Sequence, residues 1–457
     1  MKSKDKPMTY FDRLLVGDRL LDEVLTYVAA DPEHRIDSLL SVAKLFASKS
    51  DHRDNLVAIE RALAANANTR ILAERILKDT NPRVLRQLLR NWGVNATLRG
   101  IPKQQEMTRQ LGSNVPYFIL VDPTGACNLS CEGCWAGAYK TYDQLSFERL
   151  DRLCSEAKEL GIHWFVMSGG EPLMYPQLFD IARKHDDMAF MLYTNGTLID
   201  DAVADSIIEV GNITPAFSLE GWRETTDQRR GEGVFDSIIA AMGRLRKRGG
   251  LFGISLTATC HNCDEIVSDE FIDFLLEQGA RYGWIFHYVP IGRDPDLQAM
   301  LTAPQRAFLA ERVPIIRRTK PIVLADFWND GDFSQGCIAA GRRYFHITPS
   351  GAVQPCAFFH FSTHNINDSS LKEVLSSPFF SQFQERQPFA SDHLQPCPII
   401  DVPGALRDIV AVTGARPTHE GAEELLDKRV SDFIDRRAIV WAKEVKDIRC
   451  RQATKSS

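Results

Sequence analysis

Three cysteines stand within eight positions, Cys127, Cys131 and Cys134 in "DPTGACNLSCEGCWAGAY", after an apolar run, "YFILVD", that reads as a strand. Thiolates bind soft metals, and the two common tenants of so tight a group are zinc and an iron-sulfur cluster. A zinc site usually matches one Cys-x-x-Cys with a second, whereas the gaps here are three residues and then two. Three thiolates on a cube of four irons leave one iron without a protein ligand, where a small molecule can bind. The other seven cysteines are scattered. Cys154 lies in a helical pattern and reads as a small apolar packing residue, and Cys450 sits in a basic tail. Cys260 and Cys263 form a Cys-x-x-Cys without a second pair, so metal or redox use is only the alternative to a structural role.

The elements that must position these groups fall into three zones. From Asp12 to about Leu98 apolar residues recur at three- and four-residue intervals, with Asn68 and Thr80 among the expected caps, which predicts an all-α region over residues 1–105. The stretch "RGIPKQQEMTRQLGSN" reads as a linker. Over residues 112–325, strand-like runs such as "HWFVMSGG", "AFMLYTNG" and "WIFHYVPIG" alternate with helical patterns such as "SFERLDRLCSEAKELG". That grammar belongs to an α/β fold with a parallel sheet, whose functional groups gather at the carboxyl ends of the strands. In residues 326–457, "YFHIT" and "AVQP" flank a Pro349-Ser350-Gly351 turn and predict a hairpin. A last amphipathic stretch, Glu420 to Ile448, reads as a docked helix.

The chain has 457 residues, 54 basic and 60 acidic, for a net charge of -6. This balance argues against broad capture of nucleic acid. No apolar run approaches the roughly 18 residues of a transmembrane helix, and the start lacks an export signal, so a cytoplasmic protein with reduced cysteines is expected.

With its ordered motifs, the stretch from Pro116 to Arg293 resembles the radical SAM superfamily. The resemblance implies a partial (β/α)6 barrel and a [4Fe-4S] cluster on Cys127, Cys131 and Cys134. It implies S-adenosylmethionine on the open iron, and reductive cleavage to a 5'-deoxyadenosyl radical that abstracts hydrogen from an unactivated C–H bond. "MSGGEP" resembles the family's GGE motif, in which Gly169 and Gly170 let the backbone approach the methionine moiety and Glu171 accepts from its ammonium. "PAFSLEGWRETTDQRRGEG" resembles the segment that holds the ribose and carboxylate, which implies roles for Ser218 and Arg230. Glu220 shares the strand face of Ser218 and is a candidate second ribose contact, whereas Arg223, Glu224 and Arg229 read as a solvated helix start. Asn195 and Ile291 are candidates either for cofactor contact or for plain turn and core. One departure is Gly133 before the third cysteine, where many members carry an aromatic residue; Trp135 is the expected substitute on the adenine side. His287 reads as a core histidine with the site as its alternative.

The third zone resembles the SPASM extension or its shorter twitch form, in the order of cysteine, glycine, hairpin and Gly-x-Val-x-Pro-Cys. This implies one auxiliary [4Fe-4S] cluster on Cys337, Cys356 and Cys397, with His360 or His393 as possible fourth ligands or the iron open to substrate. The family also implies a flavodoxin- or ferredoxin-type electron donor. The substrate expected is a peptide, protein or natural product. The alternative is a lipid-like molecule, with the helical region as lid or groove, and the non-enzymatic alternative is an iron-sulfur redox protein.

Overall fold

A computed structural model describes residues 50–456 and, before them, residues 23, 26–28, 30–32, 34–37 and 40. Seven strands lie parallel in chain order: β1 (Ile119–Val121), β2 (Trp164–Met167), β3 (Ala189–Thr194), β4 (Ile213–Leu219), β5 (Gly253–Ala258), β6 (Tyr282–His287) and β7 (Val323–Asp326). Each crossover carries at least one helix, as the alternating pattern predicted. Strand residues on both faces are buried, Phe165 and Val166, Phe190 and Met191, Ala216 and Phe217 among them. This is the behaviour of a parallel sheet covered by helices outside and by its own core inside. The helices start at side chains that satisfy free backbone donors: Ser146 accepts from Arg149, Asp200 from Val203, and Thr302 forms a capping box with Gln305. The architecture is the expected partial barrel, extended by a seventh parallel strand.

The predicted hairpin forms from β8 (His346–Ile347) and β9 (Ala352–Gln354), and β8 then lies parallel to β1, Leu120 opposite His346. With β10 (Phe361–Ser362) pairing elsewhere and β11 (His364–Asn365) on β9, the main sheet has ten strands. His346 fastens this seam. Its Nε2 lies 2.7 Å from Asp122 Oδ2 and its Nδ1 2.7 Å from Gln354 Oε1, all three residues fully buried. The C-terminal extension is thus continuous with the barrel sheet at the strand that leads into the cysteine loop.

The first two helical patterns fall largely outside the described residues. After them come helices Ser50–Ala65, Ala67–Asp79 and Pro82–Leu88, a π-helical stretch Leu89–Gly100, and helix Ile101–Leu111. The last replaces the expected linker: Pro102 sits in its first turn and left-handed Gly112 (φ 66°) ends it. Only Gln104 and Met107 of it are buried, too few to mark an apolar stripe in the sequence. The caps are Asn66 and Asn81, not Asn68 and Thr80, because their side chains reach the amides of Asn68 and Arg83.

These helices cover the floor of the barrel. Asn91 donates to Asp186 O and Met188 O, Asn95 to Asp187 O, Gln104 to Gly161 O and Asn68 to Arg318 O, while the Asn81 amide meets Gly249 O. Every one of these carbonyls precedes a strand. The described part of the helical region therefore lies at the amino ends of the strands and is no lid over the carboxyl-end mouth. Helix Lys428–Ser456 docks as expected, burying Trp441, Val445 and Ile448 against Ala303, Ala307 and Leu394, and it continues past Cys450. Among the described residues no helix is long and apolar enough to cross a membrane.

Candidate functional site

Cys127, Cys131 and Cys134 lie in the loop after β1 and line a cavity of about 240 Å³ at the carboxyl ends of the strands. Burial pushes the Cys127 thiol up to about 11 and raises that of Cys134 as well. Buried thiols of this kind stay protonated until a metal takes the proton's place. Among the described residues no group of three or more His, Cys, Asp or Glu side chains is placed to hold a single metal ion.

The Gly-Gly-Glu turn after β2 is zipped to this loop. Gly170 N donates to Thr124 O at 3.0 Å and Glu171 N to Ala126 O at 2.8 Å. A methyl group at Gly170 would overlap Ala126 O, and one at Gly169 (φ 99°) would stand 2.8 Å from Thr124 O. Glycine is required here because the cysteine loop itself comes so close. Glu171 is buried, which raises its pKa against hydrogen bonds from Asn195 N (2.8 Å), Thr194 Oγ1 (2.7 Å) and Leu173 N (3.1 Å). With three of about four acceptor positions used, its carboxylate retains one for a ligand. Asn195 donates from its side chain to Asn128 in the cysteine loop at 2.9 Å. Ser218 is on the cavity wall, as are Gly169, Gly170, Glu171, Asn195 and Arg230.

Glu220 and Ile291 are placed differently. Glu220 is buried behind the wall, with Arg230 Nε 2.9 Å from its Oε1 and Arg229 Nη1 2.8 Å from its Oε2. Burial works against the Arg230 charge, yet Glu220 outweighs it and holds the guanidinium pKa above its ordinary value. Ile291 is a core residue, and the wall positions near it are Tyr288 and Val289.

Arg229 is the functional residue that sequence reasoning missed. It is not solvated: its Nε donates to Glu132 O at 3.1 Å and its Nη2 to Gly133 O at 3.3 Å, clasping the backbone between the second and third cysteines. Arg223 and Glu224 are exposed, as expected. The spacing of Arg229 to Glu220 along one strand and helix was the available signal. Beside Gly133 (φ 59°) packs the ring of Tyr288, so close that a methyl group there would stand 2.8 Å from its hydroxyl. Trp135 is on the chamber wall and also meets the extension, edge-on to His346 at 5.6 Å and tilted against Phe358 at 6.2 Å.

Cys337, Cys356 and Cys397 are brought together from three separate stretches around a second cavity, of about 260 Å³. Burial pushes Cys356 up to about 12 and raises Cys337 and Cys397 too. Their setting meets the same demand for a metal. Neither His360 nor His393 lies on this cavity: His360 is tied to Ala357 O and His419, and His393 faces Asp332. The two cavities share a wall of Trp284, Phe327, Ile338, Tyr344 and Phe358. The Cys-x-x-Cys pair does not join in. Cys260 Sγ meets Gln298 O at 3.1 Å and buried Cys263 lies 3.7 Å from Asp264, each apart from both cavities.

A barrel whose cysteine loop and Gly-Gly-Glu turn face one chamber, joined to a cysteine-bearing extension, defines a class, and comparison with known proteins agrees. Residues 121–278 match the radical SAM superfamily, and residues 337–398 match the iron-sulfur cluster-binding SPASM domain. The chain therefore carries a radical SAM domain followed by a SPASM domain. These two domains imply a [4Fe-4S] cluster, S-adenosylmethionine and auxiliary iron-sulfur clustering. Among relatives, an AdoMet-dependent heme synthase of Methanosarcina barkeri is 25% identical over 57% of this chain and 82% of its own length. A PqqA peptide cyclase of Ruegeria pomeroyi is also 25% identical, over 57% of this chain and 73% of its own. The fold is that of Streptococcus suis SuiB bound to S-adenosylmethionine, with a TM-score of 0.55 at 15% identity, covering 72% of this chain and 87% of that one.

Proposed function

We propose that the chain is an enzyme that cleaves S-adenosylmethionine at a [4Fe-4S] cluster on Cys127, Cys131 and Cys134 and directs the radical at a C–H bond of a peptide or natural product. When bound, the cluster supplies the electron that breaks the sulfonium and frees a 5'-deoxyadenosyl radical, after reduction by a flavodoxin- or ferredoxin-type donor. The chain's own residues provide the rest. The Gly169-Gly170-Glu171 turn and Arg229 hold the cysteine loop in place. Glu171 retains an acceptor for the cofactor's ammonium, and Ser218 and Arg230 offer a hydroxyl and a guanidinium from the opposite wall. The aromatic wall excludes water, which protects a carbon radical from side reactions.

The observation that supports the reading is the shared wall of the two cysteine-lined cavities, as expected if one substrate is to lie close to both. One auxiliary [4Fe-4S] cluster on Cys337, Cys356 and Cys397 is the fitting complement. The lipid reading needed a trough from the helical region to the mouth, and the described helices sit at the other end of the barrel. Relatives that include peptide cyclases favour the peptide or natural-product reading. Anaerobically reconstituted protein given dithionite and S-adenosylmethionine should form 5'-deoxyadenosine, read by mass spectrometry; intact cofactor after reduction of the cluster would refute the enzyme reading. Comparing peptides and lipids from cells with and without the protein identifies the substrate class.

A further inference from the structure

His287 closes β6 and is 2% exposed, yet its ring is part of the chamber wall. Its Nε2 lies 3.0 Å from Asp326 Oδ1, at the end of β7, and the ring stacks on Trp328 with centroids 5.3 Å apart and planes 12° from parallel. Asp326 is itself fixed. The amides of Trp328 and Asn329 donate to its Oδ1 at 3.3 and 3.1 Å, and Asn329 Nδ2 donates to its Oδ2 at 2.7 Å. Although burial opposes the charge, His287 and Asn329 outweigh it and hold the carboxyl below its ordinary value. An anchored carboxylate 3.0 Å from Nε2 favours the tautomer that carries its proton there, although neither ring nitrogen completes a hydrogen bond within the protein. Nδ1 is then the bare acceptor of the ring. A buried acceptor left unpaired is costly unless something else is meant to meet it.

We propose that His287 is the proton acceptor of the reaction chamber, its Nδ1 receiving the proton of an O–H, N–H or S–H group on the substrate. The inference rests on the reading above, that cofactor and substrate share this chamber. It narrows the substrate to molecules with a polar X–H near the C–H bond that the radical attacks. The proton passes from X to Nδ1, giving imidazolium beside Asp326 and an anionic X on the substrate; no other bond changes in this step. Asp326 stabilises the imidazolium by its charge. The other titratable groups near the ring are Arg306 and Arg437, which line a side cavity behind it, and its neighbour Tyr288. Across the chamber, Arg229 and Arg230 are both paired with Glu220. A buried chain continues from Asp326 through Asn329 to Arg306, which pairs with Asp401, the acceptor of the Cys397 amide. The proton acceptor and the auxiliary cysteine loop are therefore held by one network.

The test is nitrogen-15 NMR of histidine-labelled holoenzyme with oxidised clusters, in which His287→Gln assigns the resonances by their loss. At neutral pH, Nε2 should carry the proton and Nδ1 should be bare. Asp326→Asn should remove that preference, so that a proton appears on Nδ1 in part of the molecules. A proton on Nδ1 in the parent protein, or a tautomer indifferent to Asp326→Asn, overturns the proposal. A second measurement needs no variant: diethyl pyrocarbonate, which attacks a bare imidazole nitrogen, should label His287 in cluster-loaded protein without S-adenosylmethionine. If peptide mapping finds His287 untouched, the nitrogen is not reachable from the chamber and the proposal falls. Absence of 5'-deoxyadenosine formation would sink the enzyme reading alone, because both measurements of the imidazole are made without turnover.

Discussion

The two cysteine triplets are built on opposite plans. Cys127, Cys131 and Cys134 share one loop, pinned over a few residues by the backbone of Gly170 and Glu171, by Asn195 and by Arg229. Cys337, Cys356 and Cys397 come from three stretches, and each depends on a different support. Cys356 follows the hairpin, Arg342 donates to Cys337 O, and the Cys397 amide is held by Asp401, which Arg306 pairs from a barrel helix. A contiguous site is a local structure whose geometry survives changes elsewhere. A dispersed site exists only when the tertiary fold does, so its occupancy should track stability.

The sharpest way to break this comparison is to remove one sulfur from each triplet. Cys131→Ala should abolish 5'-deoxyadenosine formation and remove about four irons per chain, the content of one cube. Cys356→Ala should also remove about four irons, while the electron paramagnetic resonance signal of the cluster that binds S-adenosylmethionine remains. Iron unchanged in Cys356→Ala would refute the auxiliary site. Loss of both signals would show that the triplets are not independent.

The next effect is on the support of the dispersed triplet. Arg306 is 5% exposed, stacks 4.2 Å from the Trp441 ring and pairs with a fully buried Asp401. Arg306→Ala leaves that carboxylate uncompensated, a loss of about 3–5 kcal/mol. Denaturant unfolding should show the drop, and chelator challenge should strip the auxiliary iron first. Equal loss of iron from both sites would mean that the Cys397 loop does not depend on this pair.

The same division explains what the sequence made legible. The first cysteine loop, the Gly-Gly-Glu turn and the segment from Ser218 to Arg230 were readable because each is a short motif at the end of a strand, and the alternation of strands and helices fixed where those ends lie. The hairpin before Cys356 was readable from Pro349-Ser350-Gly351. Contacts between distant segments were not. Nothing near Arg229 announces that it grips Glu132 and Gly133, and nothing near Gly133 points to Tyr288. The pairing of β8 with β1 escaped because two-residue strands carry no periodicity. Helix Ile101–Leu111 escaped because it buries only Met107 and Gln104, Met107 in the barrel core and Gln104 on one carbonyl.

A smaller effect compares the two glycines on which the triplets rest. Gly170→Ala would drive a methyl group into the carbonyl of Ala126, backbone against backbone, and neither side can yield without moving the cysteine loop. About 1–3 kcal/mol and a reduced iron content at the first site are expected. Gly351 (φ 87°) turns the hairpin, and its nearest obstacle is the Asn365 side chain, which can rotate away. Gly351→Ala should then cost about 1 kcal/mol, mainly for the left-handed backbone. Thermal melts with iron analysis separate the two, and an equal loss of iron would erase the distinction between local and dispersed construction.

The smallest effect on chemistry is expected at the barrel floor, and it tests which end of the barrel does the work. Asn91 is fully buried and donates to Asp186 O and Met188 O just before β3, far along the strand from Asn195 at the mouth. Asn91→Ala removes both hydrogen bonds, while Gln87 still donates to Asp186 O and Asn212 to Met188 O, so stability should fall by about 1–2 kcal/mol. Because the substitution touches no group on the chamber wall, 5'-deoxyadenosine formation per folded molecule should stay within about twofold of the original, as expected for sites without shared partners. A fall of about tenfold, equivalent to about 1.4 kcal/mol of barrel-transmitted coupling, would mean that the helical region governs the mouth from the opposite end. The lid that the described helices do not form would then have a counterpart acting through the strands themselves.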